Sequence, residues 1–399
     1  MHQSLPFGQE FFQSSPDDSL RLSVIVPAKN EALFIVQALD ALRLQVDGDG
    51  VAIDPALYEV LVLANNCTDD THSICQAYQQ QYPSFALHIE SVHLETEHAH
   101  IGTVRRLLMD AAFMRLMHVA GRKGIIVSTD ADSEVAADWV HHILREIDQG
   151  ADVIGGRILP RNTPEISRRH HLRDVTYRFL KSRLESSIDP QLSNPWPRHF
   201  QCYGPSLAVT CEMYEKAGRL PVIPFLEDEE FRKALKRIDS KIRHSPQVRI
   251  YTSSRMDGRV EFGFSVQLQQ WSEMSLKCEE QMVETLTTLI FKFEFKNRLR
   301  TIWNAKLQET TVLESLKSLS FWAKVKYSSL LDFFSEAIYF ESLWEQVEHV
   351  LENSKHPALE LATIDSVISA LRMHFRQDNT PSIIKLNTEQ SRFPEALMG

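Results

Sequence analysis

Residues 124–139 read GIIVSTDADSEVAADW, and they place two carboxylates, Asp130 and Asp132, directly after a short apolar run. The run is rich in Ile and Val, which favours a buried β-strand. Residues i and i+2 of an extended segment point to the same side of the chain. We therefore expect both carboxylates to face one site at the carboxyl end of a strand.

Similar short apolar runs recur along the first 160 residues, separated by longer segments with apolar residues at helical spacing. The predicted strands are LSVIVPA (22–28), EVLVLAN (59–65), ALHIESV (86–92), GIIVST (124–129) and ADVIGGRI (151–158). The predicted helices are EALFIVQALDALRLQ (31–45), DDTHSICQAYQQQY (69–82), TVRRLLMDAAFMRLMHVA (103–120) and AADWVHHILREIDQG (136–150). This alternation predicts an α/β fold, a mostly parallel, doubly wound sheet with helices on both faces. Ligands of such sheets bind at the carboxyl ends of the strands.

The pattern changes after residue 160. Residues 161–183 are rich in Arg and Lys, which favours either a solvated helix face or a wall that contacts phosphate, and residues 187–206 predict a long loop. EDEEFRKALKRID (227–239) predicts a helix and VRIYTSS (248–254) a further strand. Long amphipathic helices follow, for example 269–293 and 322–353.

Three regions follow from these changes in composition. We expect a polar N-terminal tail (1–20), an α/β domain (21–265) with halves 21–158 and 159–265, and a helical C-terminal subdomain (266–399). The C-terminal helices would either pack on the sheet or join two copies of the chain in a homodimer.

Composition excludes several classes of partner. The formal net charge of −10 over 399 residues does not favour nucleic acid or an anionic membrane. The N-terminus lacks a signal-peptide pattern, and no apolar run reaches the ~18 residues of a membrane span, so we expect a soluble, cytoplasmic protein. The five cysteines contain no CxxC pair, which argues against a disulfide framework and a zinc ribbon.

The Asp130–Asp132 pair has two interpretations. Carboxylate oxygens suit Mg²⁺ or Mn²⁺, which proteins typically hold through one or two carboxylates together with phosphate oxygens and water. Alternatively, Asp132 or Ser133 caps a helix that starts near Ala136. The pair by itself does not decide between the two.

Several segments together resemble one family. RLSVIVPAKNEALFI (21–35), EVLVLANNCTDDT (59–71), DADS (130–133) followed by Trp139, and ADVIGGRI (151–158) are similar to family 2 glycosyltransferases of the GT-A fold. CYGPSLAVT (202–210), FLEDEEF (225–231) and RHSPQVRIYTSSRMDGR (243–259) resemble the acceptor-side loop, Glu-Asp motif and basic tail of that family, so the resemblance covers about residues 21–265. It implies a hexosyltransferase-type enzyme that moves a sugar from a nucleotide diphosphate sugar to an acceptor hydroxyl with Mn²⁺ or Mg²⁺. Residues 21–158 would bind the nucleotide and 159–265 the acceptor, a soluble or peripheral molecule.

The resemblance also implies roles for individual residues on the donor side. Asp132 would bind the metal directly, and Asp130 would contact the ribose or the metal shell. One of Arg105 and Arg106 would pair with the diphosphate, since Arg binds phosphate oxygens bidentately. Further donor-site candidates are Pro27, Ala28, Asn30, Glu31, Asn65, Ala131, Arg255 and Arg259, and His244 is a candidate metal ligand. Asn30 and Glu31 would alternatively cap the helix that follows them.

An inverting transfer needs a carboxylate that takes the proton of the attacking hydroxyl. The Glu-Asp motif aligns with Glu227 and Asp228, and Asp228 is the predicted base; Glu229 is the neighbour one position away. Alternatively, these acids simply open a helix, whose dipole favours them. The second strand ends in Ala64 and Asn65 where relatives often have an acid, so the nucleotide base is not predicted.

The sequence leaves three other functions open. A retaining glycosyltransferase would need no such base. A sugar nucleotidyltransferase would need a Gly-rich, Lys-containing phosphate loop, whereas PAKNEALF (27–34) has no glycine. A catalytically silent nucleotide-binding scaffold would have lost its acids, whereas Asp130, Asp132, Glu227 and Asp228 are all present.

Overall fold

The structure is a computed structural model that describes residues 11–161, 164–253, 264–305, 309–354 and 356–390. Its first 161 residues contain all five predicted strands. The elements are β1 (Leu22–Ala28), α1 (Ile35–Arg43), β2 (Tyr58–Asn65), α2 (Thr71–Gln81), β3 (Leu87–Val92), α3 (Ile101–Val119), β4 (Ile125–Ser128), β5 (Ser133–Val135), α4 (Trp139–Asp148) and β6 (Val153–Arg161).

The remaining elements are mostly helical. They are α5 (Glu165–Ile188), β7 (Leu207–Thr210), α6 (Cys211–Lys216), α7 (Glu227–Arg237), β8 (Ile242–Ser253), α8 (Phe264–Lys277), β9 (Met282–Glu284), α9 (Leu286–Asn304), α10 (Glu309–Ala323), α11 (Tyr327–Glu336), α12 (Phe340–Asn353), β10 (Leu361–Thr363) and α13 (Ile364–Gln390). No helix among the described residues is long and apolar enough to cross a membrane.

The strands form one mixed sheet in the order β3-β2-β1-β4-β7-β6-β8-β5. β3, β2, β1 and β4 run parallel, as do β6 and β8, whereas β7 lies antiparallel between β4 and β6. β5 and β7 were not predicted as strands, because runs of three and four residues are too short to show a period.

The helix-cap interpretation of Asp132 and Ser133 is wrong. Ser133 pairs with Thr252 in the antiparallel β5–β8 ladder, and α4 begins only at Trp139. The two carboxylates therefore lie in the turn between β4 and β5 and do not start a helix.

Apolar side chains of the central strands alternate between the two faces of the sheet. Leu22, Val24 and Val26 pack in one core with α1, α2 and α4. Ile25 belongs to a second core with α3, α6 and α7. Burial on both faces explains why these strands are almost continuously apolar, and it confirms the predicted α/β architecture with helices on both sides.

The ends of the chain differ in detail from the prediction. Phe12 and Leu20 of the predicted polar tail are 5% and 3% exposed and pack in the second core. The predicted helix 269–293 is interrupted at Cys278, and the predicted helix 322–353 is interrupted at Lys324 and again between α11 and α12. Cys278 and Lys324 have φ angles of 53° and 52°. A residue in the left-handed conformation ends a helix even where the apolar period continues. After Lys324, for example, the backbone N–H of Val325 donates to the Ser320 carbonyl at 3.0 Å and so caps the helix.

The basic run 161–183 lies largely on α5, which packs against the C-terminal helices. Tyr177 and Leu184 of α5 share a core with Leu289 of α9 and Leu371 of α13. Other C-terminal helices, α9 to α12, enclose a core of their own. Cations of the run pair with carboxylates of this region, for example Lys181 with Glu284, so the run is not simply a solvated face.

Candidate active site

A cavity of about 2130 Å³ opens at the carboxyl ends of β1, β2 and β4. It is larger than the roughly 300–1,000 Å³ of an ordinary ligand pocket. The predicted site residues that line it are Pro27, Ala28, Glu31, Asn65, Arg105, Asp130, Ala131, Asp132, Glu227, Asp228, Glu229 and His244. The carboxyl ends of the strands therefore meet the start of α7 around one space.

Arg105 of α3 connects the two acidic motifs. Its Nη2 donates to Asp130 Oδ1 at 2.8 Å, and its Nη1 contacts the Glu227 carboxylate. The Arg105 side chain is only 5% exposed. A buried guanidinium is tolerated where carboxylates compensate its charge. The two ion pairs of Arg105 therefore hold the turn after β4 against the first turn of α7.

The electrostatics follow from this burial. Asp130 is 31% exposed into the cavity, and withdrawal from bulk water raises its pKa to about 6, although Arg105 opposes the shift. Burial also raises the pKa of Glu227, again against Arg105. The pKa of Arg105 is raised, since the charges of Glu227 and Asp130 outweigh its burial.

Two glycines allow the close packing around Arg105. A Cβ on Gly102 would lie 2.0 Å from the carbonyl oxygen of Ile223, and a Cβ on Gly204 would lie 2.6 Å from Arg105 Nη1. Gly204 also donates its backbone N–H to Asp228 Oδ2 at 2.7 Å. Neither glycine is predicted as a site residue from the sequence, since nothing local distinguishes a glycine that faces a distant backbone.

Asp228 lies in the first turn of α7, where Glu227, Glu229 and Glu230 are its neighbours. Its Oδ1 accepts the backbone N–H of Glu229 at 2.8 Å, while Oδ2 accepts that of Gly204. The acids do open a helix, as the alternative interpretation expected, and the helix dipole favours them there. That role does not conflict with chemistry, since Asp228 also lines the cavity.

Asn65 is the residue at the end of β2, and it is 4% exposed. Its side-chain oxygen has no hydrogen-bond partner within the described part of the chain. A buried, unpaired amide oxygen is costly, and a bound ligand that donates a hydrogen bond would satisfy it.

The structure gives Asn30 and Arg106 other contacts. Asn30 Oδ1 accepts the backbone N–H of Thr68 at 2.7 Å, which ties the loop after β1 to the loop after β2. Arg106 donates to Asp110 Oδ2 and to the Leu220 carbonyl, each at 2.7 Å. Neither residue lines the cavity, so Arg105 is the member of the arginine pair at the site.

His244 lies at another end of the cavity from Asp132. Ser133, next to Asp132, pairs with Thr252, which is eight residues further along β8 than His244. The Nδ1 of His244 is 3.0 Å from Asn194 Nδ2, and burial holds its pKa well below the usual range. We therefore leave His244 out of the proposed metal site. Arg255 and Arg259 lie outside the described residues.

Residues 23–203 match the sequence model of glycosyl transferase family 2. No curated protein matches the chain.

Similar solved structures come from several glycosyltransferases. Residues 1–349 of S. aureus TarS with UDP-GlcNAc have 15% identity and a TM-score of 0.42, with 84% of this chain and 93% of that chain covered. Against a longer TarS structure, at 17% identity and a TM-score of 0.40, coverage is 64% of this chain and 43% of that chain. The mannosyltransferase PcManGT from Pyrobaculum calidifontis, with GDP-Man and Mn²⁺, has 16% identity and a TM-score of 0.41 over 86% and 90%. GalNAc-T7 with UDP, GalNAc and Mn²⁺ has 12% identity and a TM-score of 0.42 over 85% and 58%.

Because these TM-scores are below 0.5, the likeness to the family rests on the sequence match of residues 23–203. That segment contains the strands β1 to β4 and the Asp130–Asp132 turn. The predicted resemblance is confirmed over residues 23–203, the part of this chain that matches the model of glycosyl transferase family 2.

Proposed function

We propose that the protein is a metal-dependent, inverting glycosyltransferase that moves a sugar from a nucleotide diphosphate sugar to an acceptor hydroxyl. The observation that carries the proposal is the bridge from Asp130 through Arg105 to Glu227. It brings the acidic turn after β4 and the start of α7 to one cavity within a domain of this family. Donor and acceptor would then meet between Asp132 and Asp228.

Asp228 is the proposed general base. In the transfer, the acceptor oxygen bonds to the anomeric carbon, the bond from that carbon to the diphosphate breaks, and the diphosphate leaves with the electron pair. Asp228 takes the proton of the attacking hydroxyl. The backbone N–H groups of Gly204 and Glu229 hold the Asp228 carboxylate at the wall of the cavity.

Arg105 is a positioning residue in this scheme. Both of its described partners are carboxylates of the protein, so it orients Asp130 and Glu227. Asn65 would accept a hydrogen bond from the nucleotide base, since its buried oxygen has no partner among the described residues.

Asp130 and Asp132 suit a divalent cation whose coordination is completed by oxygens of the donor diphosphate. Among the residues that the structure describes, no three His, Cys, Asp or Glu side chains are grouped to hold a metal. Mg²⁺ or Mn²⁺ needs only one or two carboxylates when a diphosphate supplies further oxygens. Asp132 would be the protein ligand, with Asp130 held beside it by Arg105. Bound there, the ion would neutralise charge that develops on the leaving diphosphate.

The first test is binding of the donor. Calorimetry or thermal shift with UDP, GDP and their sugar conjugates is measured with and without Mn²⁺ or Mg²⁺, on the wild type and on Asp132→Ala. We expect one nucleotide to stabilise the wild type in a metal-dependent way and to lose this effect in the variant. Absence of binding by any of them would instead support the non-catalytic scaffold.

A further inference from the structure

A part of the cavity beside the C-terminal helices is lined by a cluster of buried and half-buried charges. Four cations contribute to it: Arg198, Lys236, Lys296 and Arg300. Three carboxylates lie among them: Glu185, Asp189 and Glu341. Lys296, Arg300 and Glu341 come from α9 and α12, which lie outside residues 23–203, the segment that matches the family.

Three of the cations are fully engaged by carboxylates. Arg300 donates to both oxygens of Asp189 at 3.0 Å and to Glu341 Oε1 at 3.0 Å. Lys296 donates to Glu341 Oε2 at 3.1 Å. Arg198 donates to Glu185 Oε2 at 2.8 Å. These contacts use the carboxylates of the cluster and leave one positive charge in excess.

Lys236 carries that excess. Its Nζ lies 3.8 Å from Glu341 Oε2, which exceeds a hydrogen-bond distance, and this carboxylate already accepts from Lys296 and Arg300. Burial lowers the pKa of Lys236, and the charge of Lys296 acts in the same direction against Glu341. The side chain is 41% exposed and lines the cavity, so an anion in the cavity can reach it.

The position of Lys236 relates this charge to the proposed chemistry. Asp228, Arg232 and Lys236 are spaced by four residues on α7, so they lie on one face of the helix. The rise of 1.5 Å per residue separates Asp228 from Lys236 by about 12 Å along the helix. The donor end of the cavity is at Glu227, which Arg105 joins to Asp130. A group bound at Lys236 therefore lies beyond the base and belongs to the acceptor.

We propose that Lys236, supported by Lys296 and Arg300 of the C-terminal helices, binds an anionic group of the acceptor, a phosphate ester or a carboxylate. This inference rests on the proposed function, because it assigns the acceptor class of the same site. The axial separation of Asp228 and Lys236 places the anion about 12 Å from the hydroxyl that Asp228 deprotonates. The acceptor would be a sugar derivative long enough to span this distance, with a phosphate ester or a carboxylate at its far end. The C-terminal helices are then part of the acceptor site.

The test is calorimetric binding of inorganic phosphate and of acetate to the full chain. The protein is first saturated with Mg²⁺ and whichever nucleoside diphosphate binds, so that the donor phosphate site is occupied. We expect the wild type to bind phosphate or acetate, and Lys236→Gln to weaken that binding at least tenfold. Lys236→Arg keeps the charge and should restore binding to within about threefold. The stronger of the two probes identifies a phosphate or a carboxylate acceptor.

Lys233→Gln is the matched control. Lys233 lies on the same helix, its side chain is 40% exposed, and it pairs with Glu230 at 2.7 Å outside the cluster. Its loss should leave anion binding unchanged. Circular dichroism on all variants shows whether each folds.

The outcomes separate the two proposals. If neither anion binds the nucleotide-saturated wild type, or if Lys236→Gln binds as well as the wild type, the acceptor inference is overturned. If no nucleotide binds, the proposed donor chemistry fails. Phosphate titrated into the free protein and into Lys236→Gln then still decides whether the lysine holds an anion.

Discussion

At the scale of single residues, Asp228 carries the largest chemical prediction. Asp228→Asn keeps the shape of the side chain and removes its basicity, so kcat should fall about 100- to 10,000-fold, the usual contribution of general base catalysis. Donor binding measured by calorimetry should change little. Initial rates with the donor identified by binding provide the measurement.

Glu230→Gln is the control for this substitution. Glu230 belongs to the same acidic run but pairs with Lys233 and does not line the cavity. Its turnover should match the wild type. Near-wild-type turnover in Asp228→Asn would contradict the inverting scheme and favour a retaining enzyme.

His199 makes stability depend on pH. The side chain is buried, Nε2 lies 2.9 Å from the Ser245 carbonyl, and Nδ1 accepts the Gln201 N–H at 3.0 Å. Burial lowers its pKa to about 4. The unfolded chain, with a histidine pKa near 6.5, therefore binds more protons than the folded chain between these values.

The free energy of unfolding should thus fall as the pH drops from about 6.5 to about 4, by up to about 3 kcal/mol from this residue. Urea unfolding at several pH values measures the slope. In His199→Gln, which does not titrate, the slope should be smaller. An unchanged slope would show that other groups cause the pH dependence.

At the scale of elements, the start of α3 decides the geometry of the site. Gly102 lies one turn before Arg105, and a Cβ there would meet the Ile223 carbonyl. Gly102→Ala must shift α3 or residues 222–225, at a cost of about 1–3 kcal/mol for an overpacked position. Because the shift moves Arg105, kcat should also fall.

Urea unfolding and initial rates measure both effects. Met114→Ala tests the exposed face of the same helix, since Met114 is 63% exposed. Its stability should stay within about 0.5 kcal/mol of the wild type. If Gly102→Ala changes neither the free energy of unfolding nor kcat, the close packing of α3 at Gly102 is not needed for stability or for the geometry of the site.

At the scale of the whole molecule, α5 couples the α/β domain to the C-terminal helices. Leu184 is fully buried in the core that α5 shares with α9 and α13. Leu184→Ala should lower the free energy of unfolding by about 2–5 kcal/mol, because it removes buried methyl groups and leaves a cavity. We expect a single calorimetric transition, shifted to lower temperature.

Leu172→Ala is the matched substitution on the same helix, where Leu172 is 53% exposed. This substitution should leave the temperature of the calorimetric transition unchanged. Two separate transitions, with Leu184→Ala affecting only one, would show that the C-terminal helices unfold independently. The predicted domain boundary near residue 265 and the homodimer both stay predictions.

The sequence alone determined most elements of the first 161 residues and the burial of the central strands on both faces. Leu22, Val24 and Ile25 identify a strand that is apolar on both sides because two helical layers cover it. The acids at 130 and 132 were found for a similar reason, since a strand end is a local feature, whereas Glu227 and Asp228 were identified through the family resemblance. Local periodicity is sufficient to place strands and helices.

Only the tertiary structure decided which distant elements meet. β7 enters between β4 and β6, Arg105 pairs with Glu227 at a separation of 122 residues, and Lys236 faces charges of α9 and α12. Side-chain spacing along one element contains no information about the partner across a cavity. An ion pair depends on how whole layers pack, and that packing minimises the free energy of the entire chain. For this reason the acids of the turn after β4 could be identified from the sequence, whereas the excess charge at Lys236 could not.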